Sequence, residues 1–223
     1  MKKADIPIMI GHLKELYPDA HCELLYNNPF ELLIAVLLSA QCTDKLVNQV
    51  TPGLFAKYPK PEDFLSLSQA EMEDEIRRIG LFRNKAKNIL ETCRRLVVEQ
   101  GGQVPNDYDY LVGLPGVGRK TANVVLSTAF GVPAIAVDTH VDRLSHRLGL
   151  TKATSVLQTE LDLMKKLPKA EWTFTHHALI LHGRRVCTAR SPKCGLCSLQ
   201  SICDLHQKEA KKVAKQTRKQ AEA

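Results

Sequence analysis

At 223 residues, 44% of them hydrophobic and 25% charged, the chain has the composition of an ordinary soluble globular protein. It is long enough for one domain or two modest ones. Its longest apolar run, Leu32–Leu38, is far too short to cross a bilayer, and the opening Met-Lys-Lys-Ala-Asp lacks the apolar stretch of a secretory signal. A cytoplasmic protein with no membrane partner is therefore expected. The net charge is +7, but residues 207–223 hold six Lys/Arg against two acids. The tail thus carries +4 and residues 1–206 only +3, so global charge says little about a polyanionic partner.

Turn and cap signals divide the chain into roughly ten helices, and no stretch alternates as a strand does. Asn28-Pro29 opens a strongly apolar helix through Ala40, with proline at the first helical position, where its missing N–H costs nothing. Thr43 caps a helix ending near Tyr58, and Ser68-x-x-Glu71 is a capping box for a helix expected to stop at Gly80. A longer helix runs from about Arg83 to Gln100 and ends at Gly101-Gly102. Then come a helical pair, 107–112 and 119–130, and a helix after Asp138 that ends at Gly149. Two more, near 155–166 and 171–186, precede a cysteine-rich end. The segment Gly131–Val137 reads as an extended crossing between two helical lobes.

The most informative stretch is Leu114-Pro-Gly-Val-Gly-Arg-Lys-Thr-Ala122, a tight turn between two helices. Pro115 presets φ, and Gly116 and Gly118 are expected to take the positive φ of a sharp reversal. Such a hairpin aims backbone N–H groups outward at a helix N-terminus, which suits a phosphate. Lys120 falls on the first turn of that helix, with Arg119 beside it. A nucleotide-binding P-loop is disfavoured, because the spacing differs and no strand precedes it. From these residues alone, a plain helix connector and a phosphate grip both remain open.

Four of the seven cysteines crowd the end as Cys187-x6-Cys194-x2-Cys197-x5-Cys203. In a cytosolic chain this clustering points to a metal rather than to disulfides. Four thiolates suit either zinc or an iron–sulfur cluster, although only Cys194 and Cys197 have the spacing of a zinc knuckle. Cys22, Cys42 and Cys93 lie on or beside apolar helix faces and are expected to be buried small hydrophobes. Arg190 and Lys193 sit in the loop between the first two cysteines of the cluster, where contacts to a phosphate and plain solvated charges both remain open.

Taken in order, Leu38-Ser-Ala-Gln-Cys-Thr-Asp44, Gly80-Leu-Phe-Arg-Asn-Lys-Ala86, Leu114–Ala122, Val137-Asp-Thr-His140 and the four cysteines resemble the bacterial endonuclease III family over nearly the whole chain. The resemblance implies an all-α protein of two helical lobes with damaged double-stranded DNA held in the cleft between them. One lobe would be a six-helix barrel over 22–132 that contains the helix–hairpin–helix (107–130). The other would be an iron–sulfur lobe made of 1–21 and 133–206, leaving 207–223 as a basic tail. One 4Fe–4S cluster on Cys187, Cys194, Cys197 and Cys203 is implied.

The implied activity is that of a monomeric, bifunctional DNA glycosylase and apurinic/apyrimidinic lyase of base-excision repair, acting on oxidised pyrimidines in the bacterial nucleoid. Lys120 holds the family's position for the nucleophile and Asp138 that of the catalytic aspartate, although aspartate there is equally an N-cap. Gln41 and Leu81 fall in the loops that fill the gap left by an extruded base. Gly116, Gly118, Arg119, His140, Arg190 and Lys193 complete the expected DNA contacts. Two rivals differ from this reading. A monofunctional mismatch adenine glycosylase of the same fold lacks lysine at position 120 and has a longer C-terminal region. A non-catalytic helix–hairpin–helix module with structural zinc needs neither Lys120 nor Asp138.

Overall fold

The computed structural model describes residues 1–221 and is helical throughout, with no strand among them. In chain order the helices are α1 (Asp5–Leu16), α2 (Pro29–Ser39), α3 (Asp44–Lys57), α4 (Pro61–Phe64), α5 (Gln69–Glu75) and α6 (Phe82–Gln100). They continue as α7 (Tyr108–Val112), α8 (Arg119–Ala129), α9 (Thr139–Leu148), α10 (Val156–Lys166), α11 (Trp172–Arg185) and α12 (Asp204–Ala221). Two compact units result, Cys22–Ala134 and the pair Met1–His21 with Ile135–Ala223.

In the first unit every residue from Phe30 to Leu38 of α2 is buried, as expected of a helix apolar on all sides. Asn28 caps it by accepting the Glu31 N–H at 2.9 Å. Glu31, the one buried acid of α2, returns to the Asn27 N–H at 2.7 Å and the Asn27 side-chain amide at 2.9 Å. α2 packs along α8, α3 and α6 and so forms the axis of the unit. Its C-terminal end leads directly into the Gln41 loop.

The second unit is organised by α9 and α11, which pack along each other, with α1 closing over α11. α1 is additional to the expected elements, yet its signal is plain in retrospect. Ile6, Met9, Ile10 and Leu13 recur at helical spacing, and all four are buried. Leu144 and Leu179 are wholly buried in the same core, where truncation of a leucine to alanine costs about 2–5 kcal/mol.

One expected boundary is corrected. The helix opened by Ser68 ends at Glu75 rather than at Gly80. From Ile76 the chain proceeds in tighter turns, with hydrogen bonds from Arg77 N–H to Asp74 O and from Ile79 N–H to Ile76 O. These turns bury Ile76 and Ile79 while steering the backbone toward Leu81, whose φ of 58° no continuing helix supplies.

Candidate active site, nucleic-acid interface and metal centre

The turn after α7 reverses at Gly116, with φ of 78°. A Cβ there would stand 2.7 Å from Asn88 Nδ2 and 3.3 Å from Leu37 Cδ2, so close approach to α6 and α2 also requires glycine. Gly118 departs from expectation: its φ is −93° and ψ 177°, an extended conformation open to any residue. The reversal is already complete at Gly116, and Gly118 serves as the N-cap of α8. It brings no side-chain acceptor to the helix, and the Lys120 and Thr121 N–H groups make no hydrogen bond among the described residues, which leaves them for a ligand. A Cβ at Gly118 would meet nothing within 4 Å. Lys120 is exposed on the first turn, and the Arg119 guanidinium lies 5.6 Å from the Tyr108 ring centre.

Gln41 and Leu81 are the two non-glycine residues with positive φ among the described residues, at 53° and 58°. Both are exposed, Leu81 by 56%. Left-handed backbone at a branched apolar side chain is costly and gathers where function demands a particular aim. A Cβ on Gly80 would lie 3.8 Å from the Gln41 carbonyl oxygen, so the two loops adjoin. Lys85 fastens them together. Its buried ammonium donates to Leu38 O at 2.9 Å, tying the first turn of α6 to the last turn of α2, and burial pulls its pKa down. Lys85 was not among the expected site residues. Hairpin, Gln41 loop and Leu81 loop thus gather at one end of the first unit.

In the second unit Asp138 is the N-cap of α9. Its Oδ1 accepts the N–H groups of His140 (2.9 Å) and Val141 (2.8 Å), while Oδ2 receives no hydrogen bond among the described residues. The carboxylate is therefore held in place with one oxygen unengaged. His140 is half-buried and receives Arg143 Nη2 on Nδ1 at 3.1 Å. Burial, followed by the charges of Arg143 and Arg184, lowers its pKa against the pull of Asp138, so the neutral ring is favoured. His177 on α11 is buried, and burial with the nearby His21 brings its pKa down to about 4.

Cys187, Cys194, Cys197 and Cys203 line one small pocket together with Leu144, His182 and other side chains. Among the described residues no three potential ligands close on a single ion position. Four thiols spread around one cavity suit a four-iron cluster, in which each iron takes its own thiolate. Burial pushes the Cys197 and Cys203 thiols up, so their thiolate forms depend on compensating positive charge. Arg147 donates from Nη1 to Cys187 Sγ at 3.3 Å. Burial takes His182 down to about 4, and its neutral ring accepts Tyr17 O–H on Nδ1 (3.1 Å) and presents Nε2 to Cys197 Sγ (3.4 Å).

Two arginines hold this loop to α9, and neither was expected from the sequence. Arg143 Nη2 donates to Gly183 O (2.9 Å) and Cys187 O (3.1 Å). Arg147 donates to Thr188 O and Ala189 O, each at 2.7 Å. Their spacing of four places both on one helix face, and that was the available signal. Arg190 and Lys193 are exposed on the loop so held. Of the remaining cysteines only Cys93 is buried. Cys22 and Cys42 are half-exposed, contrary to expectation, because both stand in non-helical connections rather than on a packed face.

Comparison with known proteins matches this geometry. The HhH-GPD superfamily of base excision DNA repair proteins covers residues 34–169, and the iron–sulfur binding domain of endonuclease III covers residues 187–203. The chain is 55% identical over 208 residues to the endonuclease III of Bacillus subtilis (strain 168), spanning 93% of this chain and 95% of that protein. Identity to the endonuclease III of Escherichia coli (strain K12) is 46% over 208 residues, or 93% and 99% of the two chains. A solved endonuclease III trapped as a covalent intermediate with DNA superposes with a TM-score of 0.89 at 54% identity, covering 94% of this chain and 99% of that one. A thermostable thymine-DNA glycosylase, at 24% identity, shares the fold with a TM-score of 0.83.

The chain is accordingly a helix–hairpin–helix protein of the base excision DNA-repair superfamily. Within that superfamily it belongs to the endonuclease III family and is a DNA N-glycosylase and apurinic/apyrimidinic lyase with one 4Fe–4S cluster. No helix among the described residues is long and apolar enough to cross a membrane.

Proposed function

We propose that the enzyme removes oxidised pyrimidines from double-stranded DNA through a Schiff base on Lys120. The observation that carries this reading is the convergence in the first unit of an uncapped helix N-terminus bearing Lys120 with two exposed left-handed residues, Gln41 and Leu81. The Lys120 and Thr121 amides at the start of α8 receive a phosphodiester without reading sequence. Leu81 wedges into the base stack, and Gln41 pairs with the base left without a partner. Arg119, His140, Arg190 and Lys193 add contacts to the sugar–phosphate chain. We assign Cys22–Ala134 to the barrel and Ile135 onward, with Met1–His21, to the cluster lobe. The protein works as a monomer in the bacterial cytoplasm, at the nucleoid.

The chemistry follows from the residues. The neutral Lys120 amine attacks the sugar C1′, the C1′–N bond to the base breaks, and the base departs with a proton. The amine nitrogen gives up the proton that the departing base carries away, and the C1′–O4′ bond then opens with a proton taken up at O4′, which leaves an iminium at C1′. Removal of a C2′ proton then expels the 3′ phosphate by β-elimination, and water releases the lysine. Oδ2 of Asp138, held by its cap bonds, offsets positive charge developing on the sugar and takes up a proton. When bound, the cluster supplies iron–thiolate links that stiffen the 187–203 segment carrying Arg190 and Lys193.

Borohydride trapping on duplexes carrying different lesions tests the proposal. A covalent adduct, strongest with oxidised pyrimidines, is expected for the native chain, and none for Lys120→Ala. An adduct with the alanine variant would reject Lys120 as nucleophile, and a preference for purine lesions would reject the substrate class.

A further inference from the structure

Helix α10 sends two polar residues inward beside its buried Leu163 and turns two leucines outward. It buries Thr159 and Glu160 alongside Leu163, while Leu157 and Leu161 stand 47% and 44% exposed. At 3.6 residues per turn Leu157, Leu161 and Lys165 form one ridge. Thr159 explains part of this arrangement, since its hydroxyl donates to Asp142 Oδ1 of α9 at 2.9 Å. The two leucines have no such explanation within their own unit.

Beside the ridge lies an open pocket of about 530 Å³ whose walls include Lys3, Ile6, Lys152, Asp162, Lys165 and Lys166. Lys166 is occupied, donating to Leu150 O. The ammonium groups of Lys3, Lys152 and Lys165 make no hydrogen bond or ion pair within 4.0 Å among the described residues. The one carboxylate in the wall, Asp162, is held by the Thr151 hydroxyl at 2.6 Å and the Gln158 amide at 3.1 Å. Lys165, which belongs to both ridge and pocket, shares the field of Asp162 with Lys166, so the wall has more ammonium groups than carboxylates and adjoins the exposed leucines through Lys165.

These features select a partner. A DNA backbone would satisfy the lysines but leave Leu157 and Leu161 facing a hydrated polyanion. A purely apolar partner would bury the leucines and leave the lysines unpaired, which is unfavourable. We propose that the α10 ridge and the adjoining pocket form a docking surface for an acidic segment of a partner protein. The partner's apolar side chains would cover Leu157 and Leu161, and its carboxylates would face Lys3, Lys152 and Lys165. This arrangement follows the common pattern of an apolar centre with a charged rim.

The test uses the full, cluster-loaded chain and a fluorescein-labelled peptide of alternating aspartate and leucine, read by anisotropy. Saturable binding is expected, weakening with salt and falling about tenfold in Leu157→Ser/Leu161→Ser and again in Lys152→Glu/Lys165→Glu. Peptides with asparagine for aspartate or serine for leucine should bind correspondingly less. Incision of damaged DNA and the melting temperature should be unchanged in the charge-reversal variant, which excludes misfolding. Absent binding, or binding indifferent to both variants, would overturn the proposal. So would a loss of DNA affinity on charge reversal, which would give the surface to nucleic acid. Self-association abolished by the leucine substitutions would give it to a second copy of this chain and equally overturn the proposal.

Discussion

Helices α8 and α9 begin in opposite ways. α8 starts at Gly118 with no side-chain cap and an exposed Lys120 on its first turn, whereas α9 starts at Asp138, whose carboxylate takes two of its N–H groups. An open N-terminus is a binding site made of main chain, indifferent to most side-chain changes nearby. A closed one fixes a carboxylate at a defined place, at the cost of anion affinity. The contrast extends to the units. The first builds its site from backbone turns at Gln41, Leu81 and Gly116, while the second relies on thiols, two arginines and a capping carboxylate. Side-chain replacement should therefore damage the second unit's structure more readily than the first's.

The largest effect should come from Cys194→Ser. The native protein is expected to be yellow-brown with about four irons per chain. The serine variant should lose colour and become poorly folded or insoluble, because the short segment from Cys187 to Cys203 has little core of its own. By contrast Lys120→Ala, an exposed change in the first unit, should shift stability by no more than about 0.5 kcal/mol. Iron analysis and thermal melts compare the two. A colourless native protein with one zinc would defeat the contrast.

Asp138 divides structure from chemistry. Asn caps a helix about as well as Asp, so Asp138→Asn should keep helicity and melting temperature while lowering turnover by about 10²–10⁴-fold. Asp138→Ala should lose both, the stability by about 1 kcal/mol. Near-normal turnover in the asparagine variant with a large fall in melting temperature would make the residue purely structural.

His177 gives the second unit an acid sensitivity. Its folded pKa, about 4, lies below the ordinary value, so between the two the unfolded chain binds more protons. Stability from this group is complete at neutral pH and is lost as pH falls from about 6.5 toward 4, by roughly 3 kcal/mol in all. Melts of the native chain and His177→Gln over that range measure it. Parallel curves would show that His177 contributes nothing.

How much of this was legible differs between main chain and side chain. Capping residues at Asn28, Thr43, Ser68 and Asp138 announced their helices, because a cap is a local event written within four residues. The hairpin and the cysteine spacing marked the two candidate centres for the same reason. What escaped was long-range. Lys85 meets Leu38 O across 47 positions, and Arg147 meets Ala189 O across 42, distances at which no local pattern operates. The positive φ of Gln41 and Leu81 was equally hidden, since neither residue type favours it and no local pattern announces it.

The two glycines of the hairpin test the main-chain account at smaller scale. Gly116→Ala puts a Cβ against Asn88 at positive φ and should cost about 1–3 kcal/mol of stability. Gly118→Ala meets open space at an ordinary φ, so the melting temperature should hold while DNA affinity falls several-fold through obstruction of the phosphate. Equal destabilisation by both would mean that Gly118 serves the fold rather than the ligand.

The smallest effect is expected from the tail. Residues 207–223 hold +4 of the net +7; in the structure residues 207–221 continue α12, the described side chains there are exposed, and Gln207 reaches back to donate to Ser201 O at 2.6 Å. Charges so placed act at a distance and are screened by salt within about 8–10 Å at physiological strength. Deleting them should weaken DNA binding mainly at low salt and flatten the slope of log affinity against log salt. The order of preferred lesions should be unaltered, because Gln41, Leu81, Lys120 and Asp138 all lie elsewhere. The cut belongs after Gln207, whose N–H bonds to Cys203 O at 3.0 Å, so that Asp204 and Leu205 stay to support the pocket of thiols. Incision assays on several lesions, at two salt concentrations, give the answer. A changed ranking of lesions would place the tail on the recognition surface and end the separation between long-range attraction and local reading.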